Sequence, residues 1–207
     1  MIYFGNPSSG AIREAMTAGI LGCIISPMQG NVIPPNAVWC ADNGRFGKGW
    51  PGRDPYLRWL SAREHLADRC QFVLLPDVPF DMHRSLDYSA SYIADVASMG
   101  FPVALALQNG AEDMTMPWAD IDAVFLAGDT AWKLSPAAKQ LSDQARGLGK
   151  WSHMGRVNTW RRLRYAAGIG CDSADGTCFT RGPDKNLERI TRWQATDRRR
   201  GVQAILL

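Results

Sequence analysis

Eight times along its 207 residues the chain repeats one pattern, a short apolar run that stops at a polar residue, a glycine or a proline. The first four runs are Ile2-Tyr3-Phe4-Gly5, Gly22-Cys23-Ile24-Ile25 before Ser26-Pro27, Val38-Trp39-Cys40-Ala41 before Asp42, and Phe72-Val73-Leu74-Leu75 before Pro76-Asp77. The others are Val103 to Leu107 before Gln108, Ala123-Val124-Phe125-Leu126 before Ala127-Gly128-Asp129, Trp151-Ser152-His153 before Met154-Gly155, and Gly170 to Ala174 before Asp175-Gly176. Between most of them lie helix-like stretches: Ala11 to Ala18, Tyr56 to Arg69, Ser85 to Met99, Pro136 to Leu148, and a helix capped by Asn158-Thr159 that runs to Ala167. A last helix starts at Asp184. Continuous apolar strands alternating with helices predict a parallel sheet covered on both faces. Eight such units predict an α/β chain closed into a compact (β/α)8 barrel, a single domain over residues 1–207, near the short end for that fold. An open doubly wound sheet is the alternative. It carries a glycine-rich phosphate turn after its first strand, and Asn6-Pro7-Ser8-Ser9-Gly10 does not match one.

At 46% hydrophobic and 21% charged residues, the chain has too much apolar content to be disordered. No apolar run reaches the roughly 18 residues of a membrane span. The start, Met1 to Asn6, has neither a basic segment nor a signal-peptide core. The expectation is a soluble cytoplasmic protein without a membrane partner, in the host cytoplasm if the source is viral. Five cysteines, at 23, 40, 70, 171 and 178, form no CxxC pair, and there are three histidines. That spacing predicts reduced thiols and no metal site.

Charge is uneven. Residues 1–150 hold 12 basic and 15 acidic side chains, whereas residues 151–207 hold 11 and 5. The basic last quarter fits either a polyanionic partner or a solvated helix surface.

In a parallel barrel the carboxyl ends of the strands face the active site. Those ends read Asp42, Asp77, Gln108, Gly128-Asp129, Met154-Gly155 and Asp172/Asp175. An acceptor-rich set with one amide suits a neutral ligand bearing several N–H groups, such as a purine base, and suits a phosphate poorly.

These residues also carry a family resemblance. Asp42-Asn43-Gly44-Arg45-Phe46 resembles the Asp-Ser-Gly-Gly-Phe/Tyr-Gln motif of the tRNA-guanine transglycosylases, and Leu107-Gln108-Asn109-Gly110 resembles their Val-Gln-Gly-Gly. Phe125 to Asp129 is similar to their Ile-Gly-Gly-Leu, and Met154-Gly155 to their Leu-Met-Gly-Val-Gly. Gly168 to Asp175, with Thr180-Arg181 beyond, is similar to their Gly-Val-Asp-Met-Phe-Asp and later Thr-Arg. The matches occur in order over residues 38 to 181. The family's Cys-x-Cys-x-x-Cys…His zinc site is missing, Arg45 replaces a glycine, and Lys133 lies near the place of a family glutamate. In style the chain looks most like the phage-type DNA 7-deazaguanine transglycosylases.

The resemblance implies a pentosyltransferase that replaces guanine in a polynucleotide, DNA before tRNA, with a free 7-deazaguanine base, without metal or organic cofactor. It implies Asp175 as the nucleophile that attacks C1′, with Asp172 as the rival or supporting acid. Asp42 would be the acid/base group. Asp77, Gln108 and the Gly128 backbone would read the base beside Asn43, and Phe46 and Met154 would sandwich it. Arg156 and Arg181 would contact phosphates, and a duplex substrate would flip its guanosine. Each residue also has an ordinary role: Asp42 and Asp175 as turn acids, Asp77 as a helix-start acid, Phe46 and Met154 as core, His153 as a hydrogen-bonded structural histidine. A tRNA enzyme, a non-catalytic nucleic-acid-binding barrel and a nucleosidase remain the alternatives.

Overall fold

The structure is a computed structural model that describes residues 1–180 and 182–205, with side chains described to residue 196. Eight parallel strands close in chain order: β1 (Ile2–Gly5), β2 (Gly22–Ile25), β3 (Trp39–Ala41), β4 (Cys70–Leu74), β5 (Val103–Leu107), β6 (Ala123–Leu126), β7 (Trp151–Met154) and β8 (Ser173–Asp175). β8 pairs back onto β1, with Tyr3 beside Ala174. The chain is a (β/α)8 barrel.

The helices are α1 (Gly10–Thr17), α2 (Arg53–Ser61), α3 (Met82–Ala90), α4 (Ile93–Ser98), α5 (Thr130–Lys133), α6 (Pro136–Gly147), α7 (Trp160–Gly168) and α8 (Pro183–Ile205). Side-chain oxygens cap five of them. Ser9, Asp81, Asp129, Ser135 and Thr159 accept from Ile12, Arg84, Trp132, Ala138 and Arg162 N–H respectively. Two expected helices are divided. Tyr56 to Arg69 is α2 followed by a 3-10 segment, Glu64–Arg69. Ser85 to Met99 is α3 and α4 with a break at Ser91-Tyr92. No helix among the described residues is long and apolar enough to cross a membrane.

Strand periodicity sorts side chains into two layers. Phe4, Cys40, Phe72, Leu74, Ala104, Ala106, Ala123 and Phe125 fill the barrel. Tyr3, Trp39, Val73, Leu105, Val124, Leu126 and Ala174 pack outward among the helix residues. Small alanines on β5 and β6 make room for the phenylalanine rings. Gly22 serves the same end, since a Cβ there would lie 2.4 Å from the Phe4 ring. Gly22→Ala is therefore expected to cost about 1–3 kcal/mol by overpacking. Urea denaturation reads this, and an unchanged midpoint would show that the Phe4 ring can yield.

The same alternation aims the chemistry. Cys40 faces inward on β3, so Asp42, two residues on, does too. Ser173 and Asp175 share the inward face of β8, and His153 has it on β7, against the rings of Phe125, Phe72 and Phe4.

Candidate active site

A cavity of about 540 Å³ opens at the carboxyl ends of the strands. Asp42, Phe46, Lys48, Arg156 and Asp175 line it, with Thr177 and Thr180 beyond β8. Two carboxylates, from β3 and β8, thus share one water-accessible space.

Asp42 is partly buried, and Gly44 N–H donates to its Oδ1 at 2.6 Å. Burial pushes its carboxyl up to about 6, the Gly44 hydrogen bond opposes this, and the charges of Asp175 and Asp77 add to the rise. Near neutrality Asp42 can hold or release a proton.

Asp175 is fixed from below. Its side chain is 17% exposed, and Oδ1 accepts from His153 Nε2 at 3.1 Å. Arg156 N–H donates to the same oxygen at 3.2 Å, and Val157 N–H donates to the Asp175 carbonyl. A carboxylate can only accept, so Nε2 carries the proton. Nδ1 pairs with the Ser173 hydroxyl at 2.8 Å. Ser173 Oγ in turn accepts from Trp151 Nε1–H at 2.7 Å. A hydrogen-bonded chain, Trp151–Ser173–His153, therefore ends on Oδ1. Oδ2 has no protein partner among the described residues and is the oxygen free for chemistry. His153 was legible only as a structural histidine. Its inward register beside Ser173 and Asp175 was the signal that could have linked it to the site.

Asn43, Asp77 and Gln108 come together, but on one another. Asp77 Oδ1 accepts from Asn43 Nδ2 at 2.9 Å and Oδ2 from Gln108 Nε2 at 2.5 Å. Asn43 also donates to the Leu75 carbonyl, and Gln108 Oε1 accepts from Phe80 N–H. All three are buried, and none lines the cavity. Burial raises the Asp77 carboxyl, and the two amide donors oppose the rise. In this state the trio ties the loops after β3, β4 and β5 together. Gln108→Leu should destabilise by about 1–3 kcal/mol, because a buried carboxylate loses a donor. The loss should shrink as pH falls through the raised titration of Asp77, since only the ionised form needs that donor. A pH-independent loss in urea titrations would leave only a packing effect.

Four expectations are corrected by position. Met154 is 2% exposed and belongs to the helix-facing layer, because His153 takes the inward place on β7. It cannot stack on a base in the mouth. Asp172 precedes β8, at the opposite end of the barrel from Asp175, where its Oδ2 accepts from Ser152 N–H. It is neither nucleophile nor substrate contact. The Gly128 N–H that was to read the base donates to the Leu107 carbonyl. The Arg156 guanidinium, expected on a phosphate, is turned inward, with Nη2 on the Ala127 and Gly128 carbonyls. Asp129 caps α5 and bonds Asn109. Arg181 lies outside the described residues. Phe46 is 59% exposed at the mouth and edge-on to Phe80.

Lys133 was not foreseen as part of the site. It is buried, and Nζ donates to the Gly155 carbonyl at 2.6 Å. Burial, with Arg156 nearby, pushes its ammonium down to about 7. It braces the Gly155-Arg156 turn from beneath. The five cysteines are buried free thiols, and burial pushes Cys23 up to about 12. Among the described residues no three His, Cys, Asp or Glu stand together as a metal site.

No protein-family model matches the chain, and no curated protein does. Among solved structures, the native KDPGal structure is 13% identical and superposes over 98% of this chain and 95% of its own, with a TM-score of 0.59. The EAL domain of Xanthomonas citri FimX, solved with c-diGMP, is 15% identical over 80% of this chain and 62% of its own, with a TM-score of 0.45. What the chain has in common with the first of these is the closed (β/α)8 architecture.

Proposed function

We propose that the chain is a base-exchange transglycosylase that replaces guanine in a polynucleotide, DNA before tRNA, with a 7-deazaguanine base. The observation that carries this reading is the pair of carboxylates on one cavity, Asp42 held near pH 6 and Asp175 with one oxygen bound and the other free. Asp175 Oδ2 attacks C1′, the glycosidic bond breaks, and Asp42 gives its proton to the departing base. The incoming base loses its N9 proton to Asp42, and its nitrogen displaces Asp175. One bond is made and one broken in each half, as in a retaining glycosidase, and no co-reactant is consumed. The order of the motifs supports the substrate class, and the lack of the zinc motif favours DNA over tRNA.

The test incubates the full chain with DNA or tRNA and free 7-deazaguanine, then digests the polymer and analyses nucleosides by mass spectrometry. Deazaguanosine in DNA is the expected product. Its appearance only in tRNA would transfer the activity to the alternative substrate. Release of guanine without incorporation would make the protein a glycosidase.

A further inference from the structure

The two oxygens of Asp175 are treated differently. Oδ1 takes two donors, His153 Nε2–H at 3.1 Å and Arg156 N–H at 3.2 Å. The imidazole that supplies the first is completely buried. Its ring centre lies 4.4 Å from that of Phe125, 5.1 Å from that of Phe72 and 6.0 Å from that of Phe4. The Phe125 ring is itself pressed against Gly155, where a Cβ would lie 2.4 Å from it. His153 Nδ1 pairs with Ser173 Oγ at 2.8 Å, and that oxygen accepts from Trp151 Nε1–H at 2.7 Å. A hydroxyl can accept or donate, so Ser173 suits the imidazole whether or not Nδ1 carries a proton, and Nε2–H stays on Asp175 in either state. The rings and the hydrogen bonds together leave the imidazole one orientation.

A carboxylate that attacks through one oxygen becomes an ester whose other oxygen is the carbonyl. In the first half of the exchange the Oδ2–C1′ bond forms as the C1′–N9 bond breaks, and that electron pair leaves with the base. In the second half the incoming nitrogen bonds C1′, and the C1′–Oδ2 pair returns to the carboxylate. Asp42 gives and takes the proton, as above. A donor on Oδ1 holds the charged carboxylate about twice as strongly as the neutral ester. It therefore favours the departure of Oδ2 over its attack. We propose that His153 is a positioning residue that keeps Oδ1 as the carbonyl oxygen of the glycosyl ester and, through it, speeds release of that ester to the incoming base. This rests on the function proposed above and deepens it, since His153 then sets how long the polynucleotide is covalently held. The Arg156 N–H supports the same oxygen from the backbone. His153 is the donor that a side-chain substitution can remove.

The test equilibrates labelled DNA and a fixed concentration of free guanine with the parent and with His153→Phe, His153→Leu and His153→Gln. Phenylalanine keeps a flat ring among the barrel rings and leucine a smaller apolar group, and neither can donate. Glutamine carries an amide N–H the same number of bonds from the backbone as Nε2, and no atom at the place of Nδ1. All three variants thus lose the Ser173 partner, and only His153→Gln keeps a donor for Oδ1. Denaturing electrophoresis is read in whichever of His153→Phe and His153→Leu still binds the free base. The ratio of covalent adduct to free chain should be at least about fivefold higher there than in the parent. Added 7-deazaguanine should discharge that adduct at least about fivefold more slowly, while Kd for DNA and for the base stays within about twofold. His153→Gln should bring both readings back to within about twofold of the parent. An adduct no more abundant without the donor, with exchange intact, overturns the role. So does a His153→Gln that behaves as the apolar variants do, because shape and not the N–H would then matter. Loss of base binding in both apolar variants makes His153 a packing residue and overturns it too. A parent that neither forms an adduct nor exchanges bases removes the transglycosylase itself, and the positioning role with it.

Discussion

Asp175→Asn is expected to abolish base exchange, by at least about 10³-fold, while leaving the free base able to bind. The amide keeps the shape of the carboxylate and can still accept from His153 and from Arg156 N–H, which meet on Oδ1 in the parent. What it lacks is a nucleophilic oxygen at Oδ2. Denaturing electrophoresis with labelled DNA should therefore show a slow-moving protein–DNA adduct for the parent and none for Asp175→Asn. Asp172→Asn should keep the adduct, because Asp172 lies at the far end of β8 and bonds Ser152 N–H. An adduct that persists without Asp175 and disappears without Asp172 would refute the covalent step as written. Full exchange in both variants would remove the covalent mechanism from this strand.

The contrast between those two aspartates shows what a sequence reading can reach. The eight apolar runs were legible because each strand of a covered parallel sheet must be apolar on both faces, and strands β2, β5 and β6 begin and end where the runs do. Asp42 and Asp175 were legible because they terminate such runs on inward-facing positions. Asp172 was misplaced by three residues, which along a strand is about 10 Å, the difference between one mouth of the barrel and the other. Met154 failed for a related reason. Only one of two adjacent strand residues can face inward, and His153 is the one that packs on Phe125.

Other features depend on closure of the tertiary structure. That Asn43, Asp77 and Gln108 satisfy one another cannot be read from positions 34 and 31 residues apart. Nor can the inward turn of Arg156, because its left-handed backbone leaves no mark of glycine or asparagine in the sequence. Nor does any proline or glycine mark the splitting of Ser85 to Met99 into two helices at Ser91-Tyr92.

Asp42→Asn is expected to do two opposite things. Its carboxyl rises from 3.8 to about 6 on folding, chiefly through burial. A raised carboxylate contributes its full stability below the unfolded value and loses it as pH climbs through the folded one. Above pH 6 the folded state thus carries a penalty of up to about 3 kcal/mol for keeping Asp42 ionised. Asparagine can still accept from Gly44 N–H and has no charge to desolvate. The variant should therefore resist urea better than the parent at pH 7.5, and the gain should disappear below about pH 4. Exchange should fall at the same time by about 10²–10⁴-fold, because no group remains to shuttle the proton. In the parent, the rate of glycosyl-enzyme formation should decline as pH rises past about 6 and Asp42 loses its proton. In the variant that limb should be absent. A variant no more stable than the parent at pH 7.5 would mean that water already solvates the carboxylate in the cavity. An unaltered pH limb would assign the proton transfer to another group. Both results together would leave Asp42 as the acceptor for Gly44 N–H, a turn residue at the edge of the cavity.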